Sequence, residues 1–268
     1  MTAEPLLELY QRSSKHSNYQ VLSSALSPLL GNDAIAVKTR HEHERLAYIL
    51  SRMPVQGLGF ADIGGNTGFF TFELLMHGAA AVDYYEGNAA HHDFVAGAAS
   101  QIGLSGRLRT HHRYVSFEAS ELPQLDGTLL LNVLHHLGDD FGDPGTAKEA
   151  AKQQMLACLS VLAHTSCMLV LQLGFNWKGD RRLPLFPGGS KAEMIDFVTQ
   201  GTAADWDVVA IGAAGRDGEE IVFSDLGAHN RARDDSLGEF LNRPIFVLRS
   251  RHRAADDIAT DRPQEPSL

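Results

Sequence analysis

Apolar positions along the chain follow two regimes. Over residues 5–30, Leu6, Leu7, Leu9 and Tyr10, then Val21, Leu22, Leu26, Leu29 and Leu30 recur at helical spacing, and Gly31-Asn32-Asp33 breaks them. A further helix is predicted from about Lys38 to Met53, with Leu46, Ile49 and Leu50 on one face and Pro54 after it. Beyond residue 54 the pattern becomes short apolar runs separated by helices. Strands are predicted at Leu58–Ile63, Ala80–Tyr85, Leu108–Tyr114, Thr128–Leu134, Cys167–Leu173, Trp206–Ile211 and Ile245–Arg249. Helices are predicted at Thr71–His77, His91–Ile102, Ala147–Leu162 and Lys191–Gly201. Strands alternating with helices of this length require crossover connections, hence an α/β fold with a doubly wound, mostly parallel sheet covered on both faces. Seven strands are expected, the last antiparallel, with Glu220–Ser224 an optional extra strand in an antiparallel finish. Three parts follow: a helical lid over residues 1–54, a ligand-binding domain over 55–253, and a disordered tail over 254–268. The tail carries Asp256, Asp257, Asp261, Glu265 and two prolines with few apolar residues.

Composition narrows the function classes. The 268 residues carry a formal charge of −10, which argues against an extended nucleic-acid surface built on a basic patch. No apolar run has the length of a membrane span, and the N-terminus carries Glu4 and Glu8 where a secretory signal would be basic. A cytoplasmic protein is expected. The two cysteines, Cys158 and Cys167, form no disulfide framework and no metal-ligand spacing, so no metal is expected.

Chemistry concentrates first in Asp62-Ile63-Gly64-Gly65-Asn66-Thr67-Gly68, where the first strand turns into a helix. At such a turn a ligand binds beyond the carboxyl ends of the strands. Glycine permits close backbone approach, and the helix start offers N–H groups and the positive end of its dipole. The second strand ends at Glu86, where a carboxylate can accept both hydroxyls of an adenosine ribose. An acid at Asp62 would repel a dinucleotide's pyrophosphate but suits a cationic ligand. Together, Asp62-x-Gly64-x-Asn66-x-Gly68 and Glu86 resemble the cofactor site of the class I S-adenosylmethionine-dependent methyltransferases. That resemblance, over roughly residues 55–250, implies S-adenosyl-L-methionine as cofactor, with Asp62 and the loop at its methionine end and Glu86 on the ribose. Many members of that family carry an acid after the third strand that contacts adenine. None stands in His112-Arg113-Tyr114-Val115-Ser116-Phe117, so Tyr114, Val115 and Ser116 are the expected adenine contacts.

A second motif, Asn132-Val133-Leu134-His135-His136-Leu137, follows the fourth strand. In the resembled family this segment lies beside the transferable methyl group. Asn132 is thereby expected to line the cofactor, and His135 or His136 to act as a base on an oxygen acceptor. Of the two, His135 is expected to face the acceptor and His136 to be structural. The added ends of the chain are expected to select the acceptor through Tyr19 and Arg40 on one side and Trp177, Lys178 and Arg181 on the other. Aromatic and basic residues together suit a sugar or flat ring bearing a negative group. The expected function is methyl transfer to a small molecule or glycan at oxygen. An RNA-modifying enzyme with the same cofactor site and a non-catalytic cofactor-binding protein are the alternatives.

Overall fold

Residues 3–11, 20–30 and 39–253 are described by the computed structural model. Tyr19 and the tail over 254–268 lie outside the described residues. The helices are α1 (Ala3–Gln11), α2 (Ser27–Leu30), α3 (Glu42–Leu50), α4 (Phe69–Met76), α5 (Ala89–Gln101), α6 (Lys148–Ala163), α7 (Lys191–Gly201) and α8 (Gly238–Leu241). The strands are β1 (Gly59–Ile63), β2 (Ala81–Glu86), β3 (Leu108–His112), β4 (Leu125–Leu131), β5 (Ser166–Gln172), β6 (Trp206–Asp217), β7 (Glu220–Asp225) and β8 (Ile245–Ser250).

All eight strands form one sheet in the order β3-β2-β1-β4-β5-β8-β6-β7. Neighbours from β3 to β5 run parallel, which the crossovers through α4, α5 and α6 require. β8 enters between β5 and β6, antiparallel to both. The sheet therefore has eight strands instead of seven. The eighth is the optional strand, which folds back on β6 as an edge hairpin around Gly218 at φ +61.

Near-continuous apolar runs serve both faces of this sheet, because adjacent strand residues point in opposite directions. Leu129, Val170 and Val247 join the core under α3, α4 and α5, with Ile49, Phe72 and Phe94. Leu130, Leu169, Leu171, Phe246 and Leu248 join the core under α6 and α7, with Met155, Leu159 and Met194. The N-terminal segment belongs to the first core: Leu6, Tyr10, Leu26 and Leu30 are buried in it. Tyr10 meets Phe94 of α5 with ring centroids 5.3 Å apart. Polar anchors fix the same segment, since Glu73 of α4 accepts the Ser23 hydroxyl at 2.8 Å and the Ser24 N–H at 2.9 Å.

β4 starts and ends three residues earlier than its pattern predicts. Asp126 and Gly127, just before the predicted strand, sit inside β4, where Asp126 Oδ2 accepts the Gly59 N–H at 2.6 Å. Gly127 is needed because a Cβ there would stand 2.6 Å from the Phe60 ring. Among the described residues, no helix is long and apolar enough to cross a membrane.

Candidate functional site

The carboxyl ends of β1, β2 and β4 open into a cavity of about 830 Å³, toward the upper end of the range typical of small-molecule sites. Its floor is the β1–α4 loop. Gly64 has φ +70, and a Cβ there would lie 2.6 Å from Val133 Cγ2, so the close crossing of this loop over the β4 exit needs glycine. At Gly65 a Cβ would stand 2.6 Å from the Tyr84 ring and 2.8 Å from Asp62 Oδ2. Asn66 takes a left-handed φ of 54°, a conformation asparagine tolerates better than most residues. Its N–H donates to Glu86 Oε2 at 2.9 Å, and its carbonyl accepts the Tyr84 hydroxyl. Gly68 then caps α4.

Two carboxylates flank the loop. Asp62 is 2% exposed and accepts the Thr71 hydroxyl at 2.7 Å. Burial pushes its carboxyl up from 3.8 to about 6, and the nearby Glu86 charge adds to the rise. Glu86 accepts Asn66 N–H through one oxygen and Asn88 N–H, at 2.8 Å, through the other. These bonds orient the carboxylate at the cavity.

The helix start behaves differently from expectation. Gln20, whose side chain lines the cavity, turns Oε1 onto the Phe69 N–H at 3.0 Å and the Thr67 hydroxyl at 3.1 Å. The N-terminal segment thus consumes part of α4's donor capacity, and loop backbone, more than helix end, faces the cavity.

Beside Asp62 stands a cationic cluster that sequence reasoning reduced to Arg40. Arg45, 3% exposed, places its guanidinium 4.9 Å from the Phe70 ring centroid and 5.3 Å from that of Phe240. Arg40 and Arg243 lie 4.7 Å and 5.0 Å from the same Phe240 ring. Burial lowers the Arg45 pKa to about 10, still cationic at neutral pH. Arg45 Nε and Glu42 Oε1 are buried in the cavity wall with no hydrogen-bond partner among the described residues. Both are groups a zwitterionic ligand would satisfy. The available signal was the i,i+3 placement of Glu42 and Arg45 on the face of α3 that also carries Leu46 and Ile49.

Asn132 lines the cavity, at φ 64. Its amide is committed, donating to Gln172 Oε1 at 2.9 Å and accepting from Arg243 Nη1 at 2.8 Å. Arg243 in turn pairs with Glu239 at 2.9 Å. The histidines both line the cavity, and the one expected to face the acceptor is the more deeply buried. His135 is 2% exposed, and its Nδ1 accepts the Gly174 N–H at 3.2 Å. That bond consumes the Nδ1 lone pair and puts the neutral ring's proton on Nε2. A Cβ at Gly174 would lie 2.5 Å from the ring, so His135 is packed against backbone. His136 is the more accessible ring. Its Nδ1 stands 3.2 Å from Asp140 Oδ2 and 4.0 Å from Asp139 Oδ2, within ion-pair reach of both carboxylates but outside hydrogen-bond geometry with either.

Of the expected adenine contacts, Tyr114 and Val115 line the cavity and Ser116 does not, its place being taken by Phe117. Tyr114 is 53% exposed and its ring lies flat on Gly87, where any Cβ would clash. On the acceptor side Arg40, Lys178 and Arg181 line the cavity. Trp177 does not. It is 7% exposed, belongs to the core under α6 and α7, and donates its indole N–H to the Leu137 carbonyl at 2.7 Å. An aromatic between basic residues suggested recognition, but here the ring anchors the loop that carries Lys178. Trp177→Phe is expected to cost about 1 kcal/mol of stability, the loss of one buried hydrogen bond. Chemical denaturation would measure it; a stability unchanged from the native protein would contradict that anchoring role.

No protein-family model and no curated protein matches the chain. Solved structures do. WbdD bound to the kinase inhibitor LY294002 superposes at TM-score 0.56 with 15% identity, covering 93% of this chain and 48% of WbdD. The bifunctional kinase-methyltransferase WbdD, in a second structure, gives TM-score 0.53 and 14% identity over 93% and 46%. A proposed RNA methyltransferase, PH1948 from Pyrococcus horikoshii, gives TM-score 0.48 and 14% identity over 92% and 94%. The chain spans slightly under half the length of WbdD. Its architecture is thus a methyltransferase-like α/β fold.

Proposed function

We propose that the protein is an S-adenosylmethionine-dependent methyltransferase acting at oxygen on a small molecule or glycan. The observation that carries this reading is the pair of oriented carboxylates, Asp62 and Glu86, on either side of a glycine loop in one cavity. Glu86 would accept the ribose hydroxyls, and Tyr114, Val115 and Phe117 would border the adenine. Asp62 and Glu42 suit the methionine ammonium, while Arg45 suits its carboxylate. That fit rests on Arg45 Nε and Glu42 Oε1, opposite charges buried in the wall and unsatisfied. S-adenosylmethionine, when bound, supplies an electrophilic methyl group on sulfur.

The chain's own contribution would be alignment and proton removal. Asn132, locked by Gln172 and Arg243, would fix the β4 exit against the cofactor. His136 Nε2 would take the acceptor hydroxyl's proton, with Asp140 steadying the resulting imidazolium. His135 would hold the turn by its bond to Gly174. Arg40, Lys178 and Arg181 would attract an acceptor with an anionic substituent.

Calorimetric titration with S-adenosylmethionine, followed by transfer of labelled methyl to small-molecule and glycan fractions, tests the proposal. A folded protein that binds no cofactor rejects it. Transfer to RNA alone would favour the RNA-modifying reading.

A pH dependence follows from Asp62. A cationic ligand favours the ionised carboxylate, so in the free protein binding must displace a proton below about pH 6. Affinity is expected to level off above about pH 7 and to fall about tenfold per pH unit well below 6. The sign for stability is opposite. A carboxyl whose folded-state pKa is raised contributes fully below 3.8, and that contribution is lost as pH rises through about 6. Asp62→Asn should flatten both profiles; an affinity profile unchanged by that substitution would exclude Asp62 from the ligand's cationic end.

A further inference from the structure

At the opposite end of the sheet from the cavity, three potential metal ligands converge from distant parts of the chain. His164 is the C-cap of α6, Asp205 precedes β6, and His252 lies two residues beyond the end of β8. One donor atom from each lies within 4.8 Å of the other two. We propose that His164, Asp205 and His252 bind a divalent transition-metal ion of the zinc class, which staples the chain leaving β8 to the end of α6.

The site is organised by its surroundings. The Ser250 hydroxyl donates to the Ala163 carbonyl at 2.6 Å and accepts the His252 N–H at 2.9 Å. One buried side chain therefore sets the residue before His164 against His252 itself. The Asp205 carbonyl accepts the Arg251 N–H at 2.9 Å. Asp205 Oδ1 already lies 2.8 Å from His252 Nε2. The two imidazoles stack with centroids 4.1 Å apart and 27° between planes, which keeps the rings adjacent, and one ring must turn out of the stack for both in-plane lone pairs to meet one ion.

Ligand chemistry selects the ion. Two imidazole nitrogens and one carboxylate form the donor set of zinc and its first-row neighbours, whereas magnesium and calcium prefer all-oxygen sites. At metal–ligand distances of about 2.0–2.2 Å, tetrahedral donors stand about 3.4 Å apart. Reaching that spacing requires that Asp205 Oδ1 and His252 Nε2, 2.8 Å apart, open slightly and that the exposed His164 ring turn its lone pair toward them. The carbonyl end of the 16-residue α6, beside its C-cap His164, adds a negative potential that favours a cation. Fourth and further positions would be water, since the site is solvent-facing. The role is structural and separate from methyl transfer: the ion would restrain the chain after β8 at the sheet's far end.

The test uses the full-length protein after chelator treatment. Calorimetry with Zn²⁺, and Co²⁺ absorption as a spectroscopic probe, are expected to give one saturable equivalent with nitrogen and oxygen ligands. Zn²⁺ should raise the melting temperature and a chelator should reverse it. His252→Ala and His164→Ala should each weaken Zn²⁺ binding at least about tenfold, with native-like circular dichroism and unchanged S-adenosylmethionine affinity. No saturable binding would overturn the proposal. So would binding that survives both substitutions, including binding that disappears on Asp139→Asn, which would move the ion to the His136, Asp139 and Asp140 group at the cavity. None of these outcomes depends on whether the protein transfers methyl groups.

Discussion

Turnover of the His136→Ala variant is expected to fall by about a hundredfold or more, while affinity for S-adenosylmethionine stays within about twofold. The size follows from the task. An acceptor hydroxyl is a poor nucleophile until its proton leaves, and a positioned base supplies about 10²–10⁴ in rate. His136 would suit that task because the carboxylates of Asp139 and Asp140, 4.0 and 3.2 Å from Nδ1, would stabilise the imidazolium by charge. His135→Ala is the contrasting variant. It would leave the Gly174 N–H unpaired beside an emptied space, so its main effect should be lost stability, read by thermal denaturation. Single-turnover rates with saturating cofactor separate the two. If His136→Ala retains full turnover, the acceptor atom needs no base at this site, as a carboxylate or phosphate oxygen would not.

How much of this arrangement could be read beforehand depended on the range of the forces involved. The glycine loop and Glu86 were legible because each follows from local backbone chemistry: a strand ends, the chain must turn tightly, and an acid sits at the next strand's end. The displaced β4 was not, because Asp126-Gly127 is a turn signal on local grounds. Only the Gly59 N–H and the Phe60 ring, contributed by β1, make that pair fit a strand. Trp177 misled for a related reason, since only the Leu137 carbonyl turns its indole inward. Arg45 and Glu42 resemble ordinary charges on an amphipathic helix. Their significance arises when α3 packs with Phe70 and Phe240 over the end of β1. The surroundings of the two histidines were equally hidden, because the Gly174 N–H that holds His135 and the Asp140 carboxylate beside His136 come from parts of the fold that spacing does not reveal.

Replacing Glu86 by alanine is expected to weaken S-adenosylmethionine binding by about 1–3 kcal/mol, or about 5- to 150-fold in Kd. Two losses combine. The ribose hydroxyls would be left without acceptors in a partly enclosed cavity. The Asn66 N–H would also lose its acceptor, loosening the loop beneath the ligand. These contributions can be told apart. If the ribose contact dominates, adenosine and S-adenosylhomocysteine should weaken by the same factor as the cofactor, because all three share the ribose. If loop order dominates, ligands with the methionine moiety should suffer more than adenosine, since under the proposal that moiety would be the part read by Asp62 and Arg45. Glu86→Gln separates them further: the amide retains one oxygen for a ribose hydroxyl or for Asn66, but not both carboxylate acceptors. Calorimetry on the three ligands with both variants gives the comparison. Unchanged affinity for all three in Glu86→Ala would remove the ribose from β2 altogether, and with it the strongest reason for placing an adenosine cofactor in this cavity.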